Sequence, residues 1–78
     1  MPQSAFEACV IQVESGGNPT AVNPVTGAGG LYQFLPSTWA DFDGYPTAED
    51  APASVQQQYF DIIYAAEGTA PWSPYDGC

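Results

Sequence analysis

The sequence predicts a small, mainly α-helical domain in which three to four short helices make up a single unit, residues 1–78. Apolar residues recur at helical spacing in two stretches, residues 4–13 and 55–67. Glycines follow both stretches closely, as they do at helix ends. No alternating run of strand length stands out, although a short strand pair among residues 20–29 stays open. A chain of 78 residues has room for one hydrophobic core.

Residues 4–13 predict the first helix. Ser4 is expected to cap it, and Glu7 follows three residues later, the spacing of a capping box. Gly16 and Gly17 then end the helix. The spacing i, i+3, i+4, i+7 predicts one inward face made of Phe6, Cys9, Val10 and Val13.

The middle of the chain is expected to be loop and short helix. Two Asn-Pro steps bias residues 18–30 away from helix. A short helical turn is predicted over residues 31–35. Pro36 suits the first turn of a further helix, which should run through Trp39 and Phe42.

An acidic, proline-containing connection over residues 43–53 leads to the clearest predicted helix, residues 55–67. Ser54 is its expected cap, Gln57 completes a capping box, and Gly68 ends it. The buried stripe of this helix is predicted to be Val55, Tyr59, Ile62, Ile63 and Ala66.

The C-terminal tail, residues 69–78, is too rich in proline to predict a helix. Its aromatic residues, Trp72 and Tyr75, are expected to pack against the rest of the domain.

The charge balance excludes several functions. The chain has nine Asp and Glu residues and no Lys, Arg or His, for a net charge of −9. Nothing can neutralise nucleic-acid phosphates, and an anionic membrane surface is disfavoured for the same reason. Histidine-dependent nucleophiles are impossible, and no metal-ligand spacing is present, so no cofactor or metal is expected. Carboxylates, amides and hydroxyls are the remaining chemistry.

The two cysteines, Cys9 and Cys78, allow two interpretations. They are either unrelated thiols or one disulfide that closes nearly the whole chain. The disulfide is favoured, because a small core benefits from a covalent link and a free C-terminal thiol is reactive. A disulfide indicates an oxidising, extracytoplasmic setting. No stretch is long and apolar enough to span a bilayer, and no signal peptide is visible.

Glu14 is the candidate catalytic residue. It falls at the predicted C-terminal end of the first helix, where the helix dipole disfavours a carboxylate. Apolar neighbours would add desolvation, and both effects raise the pKa of a carboxyl towards the range of a general acid. A solvated surface glutamate is the alternative, and position alone does not decide between them.

The string ESGGNP…NPVTGAGGLYQFLPSTW resembles the lysozyme-like superfamily of lytic transglycosylases, and within it most closely the resuscitation-promoting factor domain of actinobacteria. The resemblance covers almost the whole chain. Its elements are ESGGN at 14–18, GGLYQF at 29–34, Thr38-Trp39, a helix with glutamines at 56–58, and an aromatic tail ending at Cys78.

This resemblance implies a small lysozyme-like α+β fold around a cleft, with a Cys9–Cys78 disulfide. It implies that Glu14 cleaves the β-1,4 bond between N-acetylmuramic acid and N-acetylglucosamine in peptidoglycan. One glutamate would protonate the leaving oxygen and then accept the proton of the muramyl 6-hydroxyl, which closes a 1,6-anhydro ring. A hydrolytic muramidase assisted by Asp41 or Asp43, or a non-catalytic peptidoglycan-binding module, are the alternatives.

The substrate-binding residues follow from the same motifs. Gln33 faces the cleft in the family motif, and Thr38 is a neighbouring hydrogen-bonding group or a helix-start hydroxyl. Gly30, with the other glycines of its loop, would let the backbone approach a sugar. Aromatic stacking on sugar is open to four residues, of which Tyr32 and Tyr75 are expected to be wetter and the tryptophans equally suited to the core: Tyr32, Trp39, Trp72 and Tyr75.

The candidate second carboxylates, Asp41, Asp43, Glu49 and Asp50, are expected to be solvated. The chain departs from the pattern in an inserted Asn-Pro and VTGA segment and in its lack of cationic residues. We expect a monomeric, extracellular or cell-wall domain from an actinobacterium or a phage. The Met-Pro start is typical of an expression start or an excised domain.

Overall fold

The computed structural model describes residues 2–78, and Met1 of the Met-Pro start lies outside the described residues. Two 3₁₀ turns, Phe42–Gly44 and Ala48–Asp50, connect the second helix to the third. The helices are α1 (Gln3–Glu14), α2 (Pro36–Trp39), α3 (Ala53–Glu67) and α4 (Ser73–Asp76). Over residues 2–78 no sheet forms. The predicted mainly α class with four short helices is therefore confirmed.

Helix α1 begins one residue earlier and ends one residue later than predicted. Pro2 occupies the N-cap with φ −61° and ψ 152°, and no side chain caps the helix, so the predicted Ser4 capping box is wrong. A proline fixes φ near the helical value and therefore directs the chain into the first turn without a side-chain cap. Val13 is 55% exposed, which leaves Phe6 and Val10 as the fully buried part of the inward face.

The predicted helical turn over residues 31–35 is wrong. Gln33 adopts a positive φ of 55°, which breaks a helix, and Phe34 pairs with Gly29 in an antiparallel bridge. Gly29 also bridges to Val22. The strand pair that the sequence left open is thus reduced to two single bridges that share one glycine.

Helix α2 starts at Pro36 as predicted but ends at Trp39. Ala40 and Asp41 take positive φ values of 51° and 56°, a left-handed conformation that stops the helix. Phe42, predicted as its continuation, instead begins the first 3₁₀ turn.

Helix α3 begins at Ala53, because Pro52 and not Ser54 holds its N-cap position. It ends before Gly68, as predicted. Its buried residues are Gln56 and Phe60, whereas Ile62 is 51% exposed. Three residues of the predicted stripe, Val55, Tyr59 and Ile63, do pack against the core. The centre of the buried face was missed, since hydrophobicity alone does not reveal that an amide is buried.

The tail forms helix α4 although it contains two prolines. Pro74 lies in the first helical turn, where a missing N–H leaves no bond unmade. Trp72 is buried at 3% exposure, as predicted. Tyr75 is 83% exposed, so the expectation that it packs against the domain is wrong.

The core is an aromatic cluster centred on Phe60 of α3. The Phe60 ring stacks on Tyr32 with centroids 4.6 Å apart and contacts Trp72 at 4.8 Å. Cys9 and Cys78 form a disulfide with their Cα atoms 5.9 Å apart, so the favoured interpretation of the two cysteines is confirmed. The disulfide joins the first helix to the end of the chain.

Candidate active site

A cavity of about 320 Å³ opens where the end of α1 meets the loop before α2, the end of α3 and the tail. Its polar lining is Glu14, Gln33, Thr38 and Glu67. Its apolar walls are Tyr32, Phe34, Leu35, Ile63, Pro71 and Trp72. A carboxyl, an amide and a hydroxyl, three of the groups that the sequence singles out, are therefore brought together in one place.

Glu14 is the last residue of α1 and is half-buried in this cavity. The pKa of the Glu14 carboxyl is raised from 4.5 to about 7, mainly by burial and further by a hydrogen bond and charge repulsion from Asp76. The direction of the shift is the one predicted from the sequence. The carboxyl is consequently poised to hold a proton near neutral pH.

Asp76, at the end of α4, is a neighbour that the sequence reasoning missed. Its side chain is in hydrogen-bonding contact with Glu14. Two ionised carboxylates have no donor to offer each other, so this contact is a hydrogen bond only while one of them carries a proton. In agreement, Asp76 Oδ2 is buried and has no donor from the rest of residues 2–78. Glu14 therefore has an acidic neighbour that was not among the candidate second carboxylates.

Gln33 presents its amide at the cavity from a strained turn with φ 55°. Its Nε2 donates to the carbonyl oxygens of Ala21 at 3.2 Å and Gly30 at 3.0 Å. The donor half of the amide therefore holds the glycine loop in place. The acceptor half, Oε1, is left to interact with a ligand.

Thr38 and Glu67 border the same cavity from α2 and α3. The Thr38 carbonyl oxygen accepts a hydrogen bond of 2.5 Å from the Tyr59 hydroxyl, which fixes the backbone and leaves the side chain exposed. Glu67, which the sequence reasoning did not single out, is exposed at the end of its helix. The cavity thus has one half-buried and one exposed glutamate.

The four aromatic candidates have different positions. Trp72 lines the cavity at 3% exposure, and Tyr75 is exposed but outside the cavity. Trp39 is fully buried away from the cavity and donates its Nε1–H to the Tyr45 carbonyl at 2.8 Å. Tyr32 lines the cavity but is only 1% exposed, so the expectation that its side chain is solvent-exposed is wrong.

The Tyr32 hydroxyl is bonded to a residue of helix α1. It donates a 2.5 Å hydrogen bond to Glu7 Oε2, and burial together with this bond raises the pKa of Tyr32 above its usual value. The ring therefore forms part of the cavity wall while its polar end is held by α1.

Gln56 is a structural residue that the sequence reasoning missed. It is fully buried, and its Nε2 donates to the carbonyls of Pro19 at 2.9 Å and Ala51 at 3.0 Å. Its Oε1 accepts the Leu31 N–H at 2.7 Å. A Cβ on Gly30 would lie 2.4 Å from Gln56 Oε1. The absence of a side chain at Gly30 therefore makes room for the Gln56 amide, and Gly30 does not line the cavity.

The expected second carboxylates do not line the cavity with Glu14. Asp41, Asp43 and Asp50 are exposed, as predicted. For Glu49 the expectation of a solvated acid is wrong, because its Oε1 is buried with no hydrogen-bond partner among residues 2–78.

Residues 2–78 contain no group of three His, Cys, Asp or Glu residues arranged to hold a metal ion. No helix of this part of the chain has the length and hydropathy that a membrane crossing requires.

Comparison with known proteins places these observations in a family. The model of the transglycosylase-like domain matches residues 3–74. The chain is 44% identical over 68 residues to the Probable transglycosylase SceD 2 of Staphylococcus saprophyticus, and 46% identical over 68 residues to the Probable transglycosylase SceD of Staphylococcus aureus strain Newman. These matches cover 81% of the chain but 27% and 29% of the two relatives. No solved structure matches. Because these relatives are staphylococcal, they do not support the expected actinobacterial or phage source.

Proposed function

This chain belongs to the transglycosylase-like domain family, and on that premise we propose that it is a lytic transglycosylase acting on peptidoglycan. The bond cleaved is the β-1,4 bond between N-acetylmuramic acid and N-acetylglucosamine. Because the chain spans less than a third of the relatives it matches, the proposal concerns this domain.

The observation that carries the proposal is the Glu14 carboxyl, half-buried in a cavity that also holds amide and hydroxyl groups. With a pKa of about 7 it is protonated in a large fraction of molecules at neutral pH. A general acid needs that proton in order to protonate a leaving oxygen. A solvated glutamate with an ordinary pKa would be almost fully ionised at that pH.

The reaction needs only one catalytic carboxyl. Glu14 donates its proton to the glycosidic oxygen as the bond between C1 of the muramyl residue and that oxygen breaks. The resulting carboxylate then accepts the proton of the muramyl 6-hydroxyl, whose oxygen bonds to C1 and closes the 1,6-anhydro ring. One proton leaves and one returns, so Glu14 ends the cycle protonated.

Asp76 does not have the position of a nucleophile. Retaining glycosidases hold their two carboxyl groups about 5–5.5 Å apart and inverting enzymes about 6.5–9.5 Å apart. Glu14 and Asp76 are in hydrogen-bonding contact, which is closer than either spacing. This favours the anhydro-forming reaction over a mechanism that uses this pair.

The groups around Glu14 have properties suited to an N-acetylated sugar. Gln33 Oε1 is available to accept a hydrogen bond from an amide or a hydroxyl, and Thr38 offers an exposed hydroxyl. Trp72 and Tyr32 supply an apolar wall, and the volume of about 320 Å³ is at the small end of ligand sites. Tyr75 is available to contact sugars beyond the cavity.

Trp39 and Gly30 are assigned a supporting role. Trp39 is fully buried and bonded to the Tyr45 carbonyl. Gly30 lies against Gln56, which fixes the turn that presents Gln33. Both shape the cleft without touching substrate.

A hydrolytic muramidase is the second candidate, because Glu67 borders the same cavity and could activate a water molecule. The two reactions are separated by digesting purified peptidoglycan in H₂¹⁸O and analysing the products by mass spectrometry. Transglycosylation gives 1,6-anhydro ends without ¹⁸O, whereas hydrolysis gives reducing ends that carry ¹⁸O at C1.

Three variants complete the test. Glu14→Gln should abolish the anhydro products, and Glu67→Gln should leave them in place. Asp61→Asn, an isosteric change on the exposed face of α3, is the matched control for loss of one charge. If the wild type binds peptidoglycan and releases no products, the domain is a binding module and the proposal fails. If all its products are labelled reducing ends, hydrolysis replaces transglycosylation.

We also propose that the domain works outside the cytoplasm. The Cys9–Cys78 disulfide is stable in an oxidising compartment, and the proposed substrate is a cell-wall polymer. Fractionation of the source cells, with the disulfide assayed by alkylation, tests this location.

A further inference from the structure

We propose that Asp76 is a positioning residue that keeps the proton on Glu14, and that the Cys9–Cys78 disulfide holds Asp76 in place. The disulfide would then belong to the catalytic apparatus in addition to stabilising the fold. The idea rests on the proposed role of Glu14, but its main test does not require substrate.

Glu14 and Asp76 lie on the same two segments of the chain as the two cysteines. Helix α1 carries both Cys9 and Glu14, and the short helix α4 ends at Asp76, two residues before Cys78. The disulfide therefore joins the two elements that carry the two carboxyls. No other covalent link fixes the tail to the helix that carries the acid.

Helix α4 needs this link to stay in place. It has only four residues, and helices of one turn are not stable alone in water. Its anchors are the buried Trp72 ring before it and the bond from Ser73 Oγ to the Cys78 carbonyl at 3.1 Å after it. The Asp76 N–H donates to the Trp72 carbonyl at 2.9 Å, which closes the turn. The disulfide at Cys78 then links the Asp76 end of the turn covalently to α1.

The buried oxygen of Asp76 favours a proton on Glu14. Asp76 Oδ2 is shielded from solvent and receives no hydrogen bond from another group of residues 2–78. Leaving a buried acceptor without a donor is unfavourable. A proton on Glu14 removes that penalty, so the Asp76 carboxylate favours the protonated form of its neighbour.

The other titratable groups facing Glu14 do not take over this role. Glu67 borders the cavity from α3, is exposed and adds charge of the same sign. Tyr32 lines the cavity from the loop, but its hydroxyl is bonded to Glu7. Asp76 on α4 is the group in hydrogen-bonding contact with Glu14.

The main experiment is an NMR titration of the Glu14 side-chain carboxyl carbon in the free protein. We expect Asp76→Asn to lower the pKa of Glu14 from about 7 by roughly one unit. The value should stay above 4.5, because burial is its largest cause. Asp61→Asn removes an equal charge from an exposed site and should leave the Glu14 pKa unchanged. An unaltered value in Asp76→Asn would overturn the proposal.

The disulfide is tested by a cycle of variants. Cys9→Ser/Cys78→Ser should lower the Glu14 pKa in the same direction, and adding Asp76→Asn to it should produce little further change. If the two effects are additive, the disulfide does not act through Asp76 and this half of the proposal fails. The thiol-free protein is titrated in trimethylamine N-oxide, which favours compact states. If it remains unfolded there, the disulfide acts on the fold and the same half fails.

Activity gives an independent readout. In Asp76→Asn the pH profile should move towards acid with an unchanged KM. The rate at pH 7 should fall about fivefold, which is the loss of protonated Glu14 for a one-unit decrease in pKa. If the NMR shift is found while Glu14→Gln remains active, the positioning effect stands and the proposed function fails. A rise in KM without a change in the pH profile would contradict the role given to Asp76.

Discussion

The carboxyl of Glu14 is in hydrogen-bonding contact with that of Asp76, although the two residues lie near opposite ends of the chain. Two carboxyls in contact cannot both ionise without repulsion, so one proton is retained between them at a pH where exposed acids have lost theirs. In a chain without Lys, Arg or His, burial and, after it, an acid partner raise the pKa of Glu14.

The first prediction concerns stability and pH. The folded pKa of Glu14, about 7, is above the unfolded value of 4.5. The stability that its proton contributes is therefore complete below pH 4.5 and is lost as the pH rises through 7. The variant Glu14→Gln does not undergo this loss. Its free energy of unfolding should therefore rise relative to that of the wild type between pH 4.5 and 7, by about 1–2 kcal/mol once solvent screening of a half-exposed group is considered.

Urea unfolding followed by circular dichroism at a series of pH values measures this difference. Asp61→Asn, at an exposed position, is the control, and its difference in free energy of unfolding from the wild type should not grow over that pH window. A constant difference in free energy of unfolding between Glu14→Gln and the wild type from pH 5 to 8 would show that the pKa of Glu14 is not raised.

The sequence predicted those features of the site that depend on neighbours along the chain. Glu14 is at a helix end because Gly16 and Gly17 follow it. Gln33 belongs to the GGLYQF motif and lines the same cavity as Glu14. The direction of the pKa shift followed from the helix end and burial. Local signals of this kind are readable because each is fixed by residues a few positions apart.

Asp76 and Gln56 were missed because their roles depend on distant parts of the fold. Asp76 acquires its role only when the disulfide and Trp72 bring α4 back to α1. Gln56 is one of three consecutive glutamines, and only the positions of three backbone groups identify it as the buried one. A polar residue in a core breaks the hydrophobic periodicity, which also explains why the centre of the buried face of α3 was missed.

The second prediction concerns the disulfide and stability. The Cys9–Cys78 link has a sequence separation of 69 residues, and closing a loop of that size stabilises the folded state by about 4 kcal/mol in the chain-entropy model. Cys9→Ser/Cys78→Ser should lose about this amount in urea unfolding at pH 5. The wild-type protein treated with reductant is the matched comparison. A loss below about 1 kcal/mol in both would mean that the unfolded chain is not restrained by the link.

The third prediction concerns Gln56. Replacing it by alanine leaves the Leu31 N–H and the Pro19 and Ala51 carbonyls without their partner. The free energy of unfolding should fall by about 3 kcal/mol, because each buried group without a partner is destabilising. Gln58→Ala, an identical change at an exposed position of the same helix, should stay within about 0.5 kcal/mol of the wild type. Equal effects of the two variants would contradict the role assigned to Gln56.

The fourth prediction follows from the net charge of −9. An anionic cell-wall polymer is repelled by this domain, and salt screens that repulsion over about 10 Å at 0.1 M. The rate of peptidoglycan release should therefore rise as salt is added from low ionic strength. An uncharged N-acetylglucosamine oligomer is the control, and its binding should be insensitive to salt. A release rate that falls steadily from the lowest salt would refute the expectation.

The fifth prediction concerns the close approach of Gly29 to Glu49. A Cβ on Gly29 would lie 1.8 Å from Glu49 Oε1, so Gly29→Ala must displace a side chain whose buried oxygen already has no partner among residues 2–78. We expect a loss of about 1–3 kcal/mol, typical of overpacking. Glu49→Ala alone should be neutral or stabilising, because it removes that oxygen. The double variant should recover most of the loss in urea unfolding. If the two single effects simply add, the contact is not the cause, and the bridge from Gly29 to Phe34 would be the site of the damage.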